Sequence, residues 1–313
     1  MTCLEQHTIC VDMGTTNTRV WLLCADQIVA SAKQANGVRV SASEGSTGKI
    51  IAVLQEMILE VSSHGGDGHQ PSAIAAAGMI TSSLGLSEIP HVTGPAGLSE
   101  LAGAAQWHNF REISNLPFLL VPGIRIATEN NSTVDVMRGE ETMLLGCDIN
   151  DDEYLSIFPG THSKHVVVKD GRLVDFKTFM TGEIFDLLAN KSVLSKSIKN
   201  NDGQYQTVFE AGVKAGANNN LLNIAFHVRT NALFKKYTPE ENYHNLSGLL
   251  IGYELSEIDD LKKNIRLVCG KQLAAKYLQA FKILSPQIKI ENINADDALI
   301  NGHCKLAAIY YNY

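Results

Sequence analysis

The sequence predicts an α/β fold made of two related halves, and three observations support this prediction. Residues 9–22 indicate an apolar strand, a tight polar turn and a second apolar strand that returns beside the first. The same pattern occurs again at 154–169, where the turn also contains glycine and hydroxyl residues. Near the end of the chain, residues 265–281 indicate a strand, a glycine and a helix. Strands combined with helices in this way are typical of sheets covered by helices.

The first half continues with a third strand, a helix and a further strand. We expect the third strand at 27–33, antiparallel to the second. Apolar residues in 49–61 recur at helical spacing and therefore predict a helix with one apolar face. Small apolar residues at 73–77 predict a buried strand, parallel to the first one after the helical crossover. Three antiparallel strands, a helix and a parallel strand form the beginning of a ribonuclease-H-like unit.

A charged segment follows the first half and marks the expected boundary between two domains. Residues 136–147 predict a helix, with Asp135 as its N-cap and Gly146 near its end. Charged side chains crowd its first two turns, which suggests a site at a domain junction, although a capped surface helix has the same pattern. We therefore expect an N-terminal lobe at 1–134 and a C-terminal lobe at 135–313, joined by this helix.

The second half repeats the hairpin plan of the first. Its strands are expected at 154–158, 165–169 and 173–180. The Asp170-Gly171 pair is a strong signal for a two-residue hairpin turn between the last two of them. The apolar segment 246–255 predicts a closely packed helix, since it carries glycines four residues apart. We expect the chain to end with a strand and a helix, at 289–293 and 296–308.

Composition and charge argue against several classes of function. The net charge is −7 and the isoelectric point is near 5.8, which disfavours a general nucleic-acid binder or a membrane-surface protein. No apolar run approaches the roughly 18 residues of a membrane span. The six cysteines lack a CxxC pair, so we expect free thiols in a reducing compartment. The N-terminus is unlike a signal peptide, and together these features lead us to expect a cytoplasmic protein.

The first turn carries side chains suited to phosphate and Mg²⁺. Gly14 permits a close backbone approach. Thr15, Thr16 and Asn17 offer hydroxyl, amide and backbone N–H groups to phosphate oxygens. Asp12, at the end of the preceding strand, is placed to hold Mg²⁺ through water, because Mg²⁺ keeps much of its hydration shell. An ordinary hairpin with a turn-favouring aspartate and glycine is the alternative.

Three further segments carry candidate ligand groups. Residues 160–164 form a second cradle for phosphate, which includes the cation of Lys164. The hydroxyl residues of 78–85 follow a strand end and suit a polyhydroxylated ligand, although a structural turn explains them equally well. Gly270 lies between a strand and a helix, where it permits a flat ring such as adenine to approach the backbone.

The duplicated hairpins and the late strand–glycine–helix unit resemble the actin-like ATPase superfamily, which includes sugar kinases. Within it, the chain is similar to the 2-dehydro-3-deoxygalactonokinase family over nearly its whole length. The resemblance is carried by six motifs in this order: 12–19 (DMGTTNTR), 78–85 (GMITSSLG), 136–142 (VMRGEET), 159–164 (PGTHSK), 180–183 (MTGE) and 247–252 (SGLLIG). The third and fourth motifs together are highly specific, whereas the first marks only the superfamily.

The resemblance implies ATP-dependent phosphorylation of the 6-hydroxyl of 2-dehydro-3-deoxy-D-galactonate in galactonate breakdown. The implied fold is two ribonuclease-H-like, actin-like lobes around a central cleft. The implied cofactors are ATP and Mg²⁺ and the implied partners are small molecules, without nucleic acid or membrane, while a homodimer stays open. Met13 stands where the family often carries Trp, and 80–86 departs from the Gly-Ser-rich run expected there. A related acid such as 2-dehydro-3-deoxygluconate, or a non-catalytic sugar-acid sensor, therefore stays open.

The resemblance also implies roles for individual residues. The phosphate-binding residues would be Gly14, Thr15, Thr16, Asn17, Arg19, Gly160, Thr161, His162 and Lys164. Asp12 would hold the metal and Gly270 would border the adenosine. The sugar-acid candidates are Gly78, Met79, Ser82, Ser83, Arg138 and Glu141, with Glu140 as a further candidate. The superfamily places an aspartate at the start of the interdomain helix, so the base would be Asp135, with Glu140 or Glu141 as alternatives.

Overall fold

The chain divides into two compact units. The computed structural model describes residues 7–25, 27–39, 46–65, 70–127, 134–147, 153–201, 203, 205–258 and 264–311. The first unit comprises Met1–Asp152, Val168–Phe176 and Ala295–Tyr313, and the second comprises Glu153–Val167 and Lys177–Asn294. This division differs from the predicted boundary after residue 134, since the charged segment and the last helix both belong to the first unit.

The strands and helices follow in this order. Up to residue 147 they are β1 (His7–Met13), β2 (Thr18–Cys24), β3 (Gln27–Gln34), α1 (Gly48–Gly65), β4 (Pro71–Gly78), β5 (Val92–Thr93), α2 (Leu98–Ala104), β6 (Gln106–His108), β7 (Phe118–Leu120), β8 (Ile124–Ala127), β9 (Val134–Met137) and α3 (Glu140–Gly146). From residue 153 they are β10 (Tyr154–Phe158), β11 (Ser163–Lys169), β12 (Arg172–Phe179), α4 (Thr181–Lys191), α5 (Gln206–Asn218), α6 (Leu221–Ala225), α7 (His227–Leu233), α8 (Pro239–Ser256), β13 (Asn264–Cys269), α9 (Lys271–Leu284), β14 (Ile290–Asn294) and α10 (Ala295–Tyr311).

The main sheet of the first unit has the neighbour order β3-β2-β1-β4-β7-β6. The β1–β2 and β2–β3 pairs are antiparallel, and β4 is parallel to β1 and β7, as predicted for 9–33 and 73–77. Ile9 and Val11 face a core that includes Leu54 of α1, whereas Cys10 packs on the opposite face against Leu299 of α10. Because side chains alternate along a strand and every residue of β1 is buried, the strand is covered on both faces.

The predicted helix at 136–147 is wrong in its first part. Val134–Met137 is strand β9, which pairs antiparallel with β8 in a small sheet of order β5-β8-β9. The helix begins only at Glu140, because Gly139 has φ 115°, a value outside the helical region. Asp135 therefore does not cap the helix, and its Oδ1 accepts the N–H of Val136 at 2.8 Å. The capped-helix alternative is wrong for the same reason.

The sheet of the second unit has the order β12-β11-β10-β13-β14, in which β13 is parallel to β10 and β14. In both units the third, second, first, fourth and fifth strands of the motif are neighbours in that order, so the prediction of two ribonuclease-H-like units is confirmed. Asp170 and Gly171 have φ values of 51° and 70°, as the predicted two-residue turn requires. The predicted close packing of 246–255 is also confirmed, since α8 lies directly against α5 at Gly248 and Gly252.

Two expectations from composition concern cysteines and membrane spans. Cys10, Cys24, Cys147, Cys269 and Cys304 are free thiols, and Cys3 lies outside the described residues. Within the described part of the chain, the structure contains no helix whose length and apolar character would let it cross a bilayer.

Candidate active site

Asp12 lies at the carboxyl end of β1, near the middle of the first unit's sheet. It stands opposite Arg19 on β2 and Ala77 on β4. Its side chain is only 11% exposed, and Oδ2 is 3.6 Å from Nε of Arg19, which is an ion pair without a hydrogen bond. The first unit therefore presents a buried carboxylate at the strand ends, where ligands of parallel sheets commonly bind.

The electrostatic environment of Asp12 disfavours its ionised form. The pKa of this carboxyl is raised to about 6, chiefly by burial; the charge of Arg19 lowers the pKa, and the charges of Glu140 and Asp296 raise it. A pKa above the ordinary value shows that the local positive charge does not fully offset burial and the neighbouring acids. A cation beside Asp12 would offset this cost.

Two glycines bring other segments close to Asp12. Gly78, the last residue of β4, has φ 83°, and a Cβ there would lie 2.7 Å from Met13 O and 3.0 Å from Asp12 Oδ1. A Cβ at Gly139 would lie 3.4 Å from Gly78 Cα and 3.9 Å from Asp12 Oδ1. The structure therefore brings together three segments that the sequence analysis selected separately, namely 12–19, 78–85 and 136–142.

Backbone hydrogen bonds hold the first predicted phosphate turn. The N–H of Gly14 donates to Asn17 O at 2.8 Å, and the carbonyl of Gly14 accepts the N–H of Val38 at 3.1 Å. Thr16 and Asn17 are exposed, and Asn17 Nδ2 donates to Thr16 Oγ1 at 3.0 Å. The turn is thus anchored through its backbone and presents hydroxyl and amide groups outward, as a phosphate site requires.

Arg19 has two acidic partners. Besides Asp12, its Nη1 donates to Oδ1 of Asp296, in the first turn of α10. The family resemblance implied a phosphate-binding role for Arg19, and no role was predicted for Asp296. A signal was present, because Asp296 and Asp297 follow the last parallel strand directly, where side chains reach the ligand edge of a sheet.

The predicted sugar-acid loop after β4 is a short 3₁₀ turn at Met79–Thr81. Ser82 is buried, and its hydroxyl donates to Met79 O at 2.7 Å, which closes the turn. Ser83 is exposed and Met79 is partly exposed. Of the candidate residues in this loop, Met79 and Ser83 are therefore the more accessible, and Ser82 stabilises the turn.

Arg138 holds the sugar-acid loop through several contacts. Its Nη1 donates to Thr81 O at 2.6 Å and to Thr81 Oγ1 at 2.7 Å. Its Nη2 donates to Ile89 O at 2.9 Å and lies 3.2 Å from His91 Nε2. Contacts of this kind favour a positioning role for Arg138 over the direct binding of a substrate carboxylate.

The three candidate bases have different environments. Glu141 is fully buried, its two oxygens accept the N–H of Gly139 at 2.8 and 2.7 Å, and burial raises its pKa to about 8. Glu140 is half-buried, and its Oε2 accepts the N–H of Arg138 at 3.3 Å. The charge of Glu140 raises the pKa of Asp12, whereas Asp135 is not among the groups that perturb this pKa. The electrostatics therefore favour Glu140 over Asp135 as an acid close to the metal candidate.

The second predicted phosphate loop covered 160–164, but Ser163 and Lys164 begin strand β11. The remaining loop, Gly160–His162, is attached to the start of α4. Gly182 lies so close to the loop that a Cβ there would collide with Gly160 O and lie 2.8 Å from Thr161 Cα. The N–H of Glu183 donates to Thr161 O at 3.0 Å, and His162 Nε2 lies 2.6 Å from Glu183 Oε2. The N-terminal turn of α4 therefore lies against the backbone of the loop, and the positive end of a helix dipole favours anions.

Lys164 is the cation of this loop. Its side chain is buried, with the residue 4% exposed, and Nζ donates to His162 O at 2.9 Å. Lys164 therefore stabilises the loop conformation and contributes positive charge beneath it.

A cavity of about 820 Å³ adjoins the second loop, with Gly160 and Gly182 in its wall. Its size is that of a small-molecule site. Aromatic side chains line it, together with polar groups and residues from the start of α9; they include Phe185, Tyr205, Tyr243, His244, Gln272 and Lys276. The helix that follows Gly270 thus borders this cavity, while Gly270 itself is exposed and is not among the lining residues.

Lys276 is the charged group of the cavity wall. Its Nζ donates to Ser247 Oγ at 3.3 Å and lies 5.5 Å from the ring centre of Tyr243. Burial lowers its pKa. Lys276 and the aromatic residues were not predicted as site residues, because a lysine on an amphipathic helix gives no local sign that it faces a cavity.

Comparisons with known proteins identify the family of this chain. The model of the 2-keto-3-deoxy-galactonokinase family matches residues 12–306. The chain is 30% identical to the 2-dehydro-3-deoxygalactonokinase of Escherichia coli (strain K12), over 88% of this chain and 89% of that one. It is also 30% identical to a Rhizobium meliloti (strain 1021) protein named as a probable 2-dehydro-3-deoxygalactonokinase, over 93% and 94%.

A solved structure has the same fold. The crystal structure of a Sinorhizobium meliloti protein, provisionally assigned to the same activity, superposes with a TM-score of 0.83 at 28% identity. The match covers 98% of this chain and 97% of that one. The chain belongs to the 2-keto-3-deoxy-galactonokinase family.

Proposed function

We propose that this protein transfers the γ-phosphoryl group of ATP to the 6-hydroxyl of 2-dehydro-3-deoxy-D-galactonate. The observation that carries the proposal is the family match over 12–306, which includes both phosphate turns and the acidic segment near Asp12. In the reaction the bond from the γ-phosphorus to the β–γ bridging oxygen breaks, a bond to O6 forms, and ADP leaves. The proton of the 6-hydroxyl passes to a carboxylate.

Asp12 is the proposed Mg²⁺ ligand, and its surroundings fit that ion. The carboxylate is buried, its pKa is raised, and Gly78 and Gly139 leave open the space beside Oδ1 that side chains would fill. Among the described residues there is no group of three or more metal-ligating side chains. Mg²⁺ usually keeps several waters and is bound by one or two carboxylates and substrate phosphates, so we propose that Asp12 holds it through water. When bound, Mg²⁺ neutralises charge that develops on the phosphate oxygens.

The residues around Asp12 have separate proposed tasks. Thr15, Thr16 and Asn17 bind phosphate oxygens through backbone and side-chain donors. Glu140 accepts the proton of the 6-hydroxyl, which is lost late because the transition state of phosphoryl transfer is loose. Arg138 keeps the sugar-acid loop in place, where Met79 and Ser83 are accessible to the substrate.

The second unit has the proposed task of binding the nucleotide. The Gly160–His162 loop binds phosphate oxygens, and the adjoining cavity takes the adenosine. The cavity size and its aromatic wall support this assignment, because a purine ring binds well between apolar and aromatic side chains. The loop and the cavity are contiguous, as the phosphates and the nucleoside of one ligand require.

A coupled assay of ADP release tests the proposal. It compares ATP alone with ATP plus 2-dehydro-3-deoxygalactonate or 2-dehydro-3-deoxygluconate. We expect turnover that depends on the first acid. Turnover that depends on the second instead would change the substrate, and turnover without any acid would indicate an ATPase. Binding of an acid without turnover would indicate a sensor.

A variant tests the proposed metal site. Asp12→Asn should lose nearly all turnover, and a normal rate in that variant would contradict the proposed metal role of Asp12.

A further inference from the structure

A buried carboxylate lies beneath the second loop and is not part of the proposed chemistry. Glu254 on α8 is 1% exposed. Its Oε1 accepts hydrogen bonds from Ser163 Oγ at 2.7 Å and from His165 Nε2 at 2.9 Å. Its Oε2 accepts hydrogen bonds from Tyr277 OH at 2.8 Å and from Thr181 Oγ1. One side chain therefore joins β11, α4, α8 and α9.

The donors lie next to the groups that would contact ATP. Ser163 and His165 follow the Gly160–His162 loop directly at the start of β11. Thr181 precedes Gly182, the residue that lies against the loop backbone. Thr181 and Tyr277 also line the cavity. The contacts of Glu254 thus reach both the loop and the cavity wall.

The charge of Glu254 suits this arrangement. Burial by itself raises the pKa of this carboxyl, but the hydrogen bond and charge of His165, with the hydroxyls of Ser163 and Thr181, leave it below its ordinary value. Burial and the Glu254 charge raise the pKa of Tyr277, so the phenol keeps its proton and donates. An ionised carboxylate has only acceptors, and each donor is therefore satisfied.

We infer that Glu254 is a positioning residue that holds the second phosphate loop and the wall of the adjoining cavity in the geometry that binds the nucleotide. The inference rests on the proposed nucleotide role of the second unit. Glutamine at this position keeps the shape but presents an NH₂ group to two donors. The hydroxyl groups there must turn to accept from this NH₂ group, so the charge-assisted hydrogen bonds are lost and the loop and the cavity wall are held less firmly. Binding of the sugar acid, which is assigned to the first unit, should not change.

Calorimetric titration with ADP tests the inference in the whole protein. We expect Glu254→Gln to raise the ADP dissociation constant about tenfold, since hydrogen bonds to a charged group contribute strongly. Ser163→Ala removes one donor and should raise it about threefold. If Ser163 acts through Glu254, adding Ser163→Ala to the Glu254→Gln variant should change the constant by less than about twofold. The thermal shift caused by the sugar acid should be the same in all variants.

The control is Glu291→Gln, which removes another carboxylate of the second unit. Oε2 of Glu291 lies 2.7 Å from Nε of Arg266, a residue of β13. It should bind ADP like the wild type. Unchanged ADP affinity in Glu254→Gln, additive effects of the two substitutions, or an equal loss of sugar-acid binding would each overturn the inference. If Glu254→Gln does not fold, the ADP affinity of Ser163→Ala tests the inference by itself. A normal ADP affinity in Ser163→Ala would then overturn the inference. ADP binding is measured without an acceptor, so a wrong sugar acid would contradict the proposed function and leave this result intact.

Discussion

Arg19 and Asp296 form an ion pair although they lie 277 positions apart in the sequence. The pair attaches the second strand of the first unit to the first turn of its last helix, and Arg19 also contacts Asp12. The positive charge of Arg19 is therefore shared between two carboxylates. This sharing leaves Asp12 able to attract a cation that a single, fully paired arginine would exclude.

The first prediction concerns this sharing of charge. Asp296→Asn removes one partner of Arg19, whose guanidinium should then pair more closely with Asp12 and compete with Mg²⁺. We expect the Mg²⁺ concentration for half-maximal activity to rise about fivefold, which corresponds to roughly 1 kcal/mol. A Mg²⁺ titration of the steady-state rate measures this. Asp297→Asn, at the neighbouring exposed position, is the control and should keep the wild-type requirement. Equal effects at both positions would contradict the prediction.

The second prediction distinguishes the two candidate bases. Glu140→Gln should lower kcat by about 10²-fold or more, as expected for the loss of a general base, with little change in the KM for ATP. Asp135→Asn should lower kcat by less than about tenfold, because Asp135 lies on β9 and does not perturb the Asp12 carboxyl. Single-turnover rates of both variants provide the measurement. A large loss for Asp135→Asn with a small one for Glu140→Gln would reverse the assignment.

The third prediction concerns the pH dependence of metal binding. The pKa of Asp12 is about 6, and protons and Mg²⁺ compete for its carboxylate. Activity should therefore fall as the pH drops through about 6, and a higher Mg²⁺ concentration should move this decrease to lower pH. Rate–pH profiles at two Mg²⁺ concentrations would reveal the shift. A decrease that does not respond to Mg²⁺ would assign the titration to another group.

The same pKa has a consequence for stability without metal. The folded state has the higher pKa, about 6 against 3.8, so between these values it binds more protons than the unfolded state. The free energy of unfolding therefore falls as the pH rises from about 4 to about 6, and the loss persists above this range. Asp12→Asn removes this cost, so it should raise the melting temperature at pH 7.5 while activity is lost. A lower melting temperature would indicate that the Asp12–Arg19 contact is a net stabilising one.

The fourth prediction concerns the fit between the second loop and α4. In Gly182→Ala the new Cβ meets Gly160 O and Thr161 Cα, so the loop backbone must move. We expect the KM for ATP to rise about tenfold or more, with the KM for the sugar acid nearly unchanged. Steady-state kinetics with each substrate varied in turn measures this. Gly103→Ala is the control, because a Cβ there meets no atom within 4 Å. A normal KM for ATP in Gly182→Ala would contradict the proposed role of the loop.

Most of the fold could be predicted because its signals are local. The helix at 49–61 and the hairpin at Asp170-Gly171 follow from apolar periodicity and from turn residues, and both are confirmed. The prediction that a helix begins at residue 136 was wrong, and the reason is not local. Its charged and apolar residues fit a helix, but 134–137 pair with β8, and this pairing outweighs the local preference.

The candidate site could be predicted only in part. The two turns proposed to bind phosphate were selected because glycine and hydroxyl residues at a strand end suit phosphate oxygens, and the structure places both turns at strand ends. Glu254 was overlooked, although a charged residue within the apolar run 246–255 indicates a buried partner. Arg138 was expected among the residues that bind the sugar acid, and its contacts with Thr81 and Ile89 became visible only in the structure.

By itself, the sequence determined that the chain contains two copies of one strand pattern and that each copy carries a glycine–hydroxyl turn. Strand alternation and turn chemistry depend on neighbouring residues, so a linear pattern is enough to reveal them. Only the tertiary structure decided which acids surround Asp12 and which donors surround Glu254. Those groups come from distant segments, and their proximity depends on strand pairing and helix packing that no local pattern encodes.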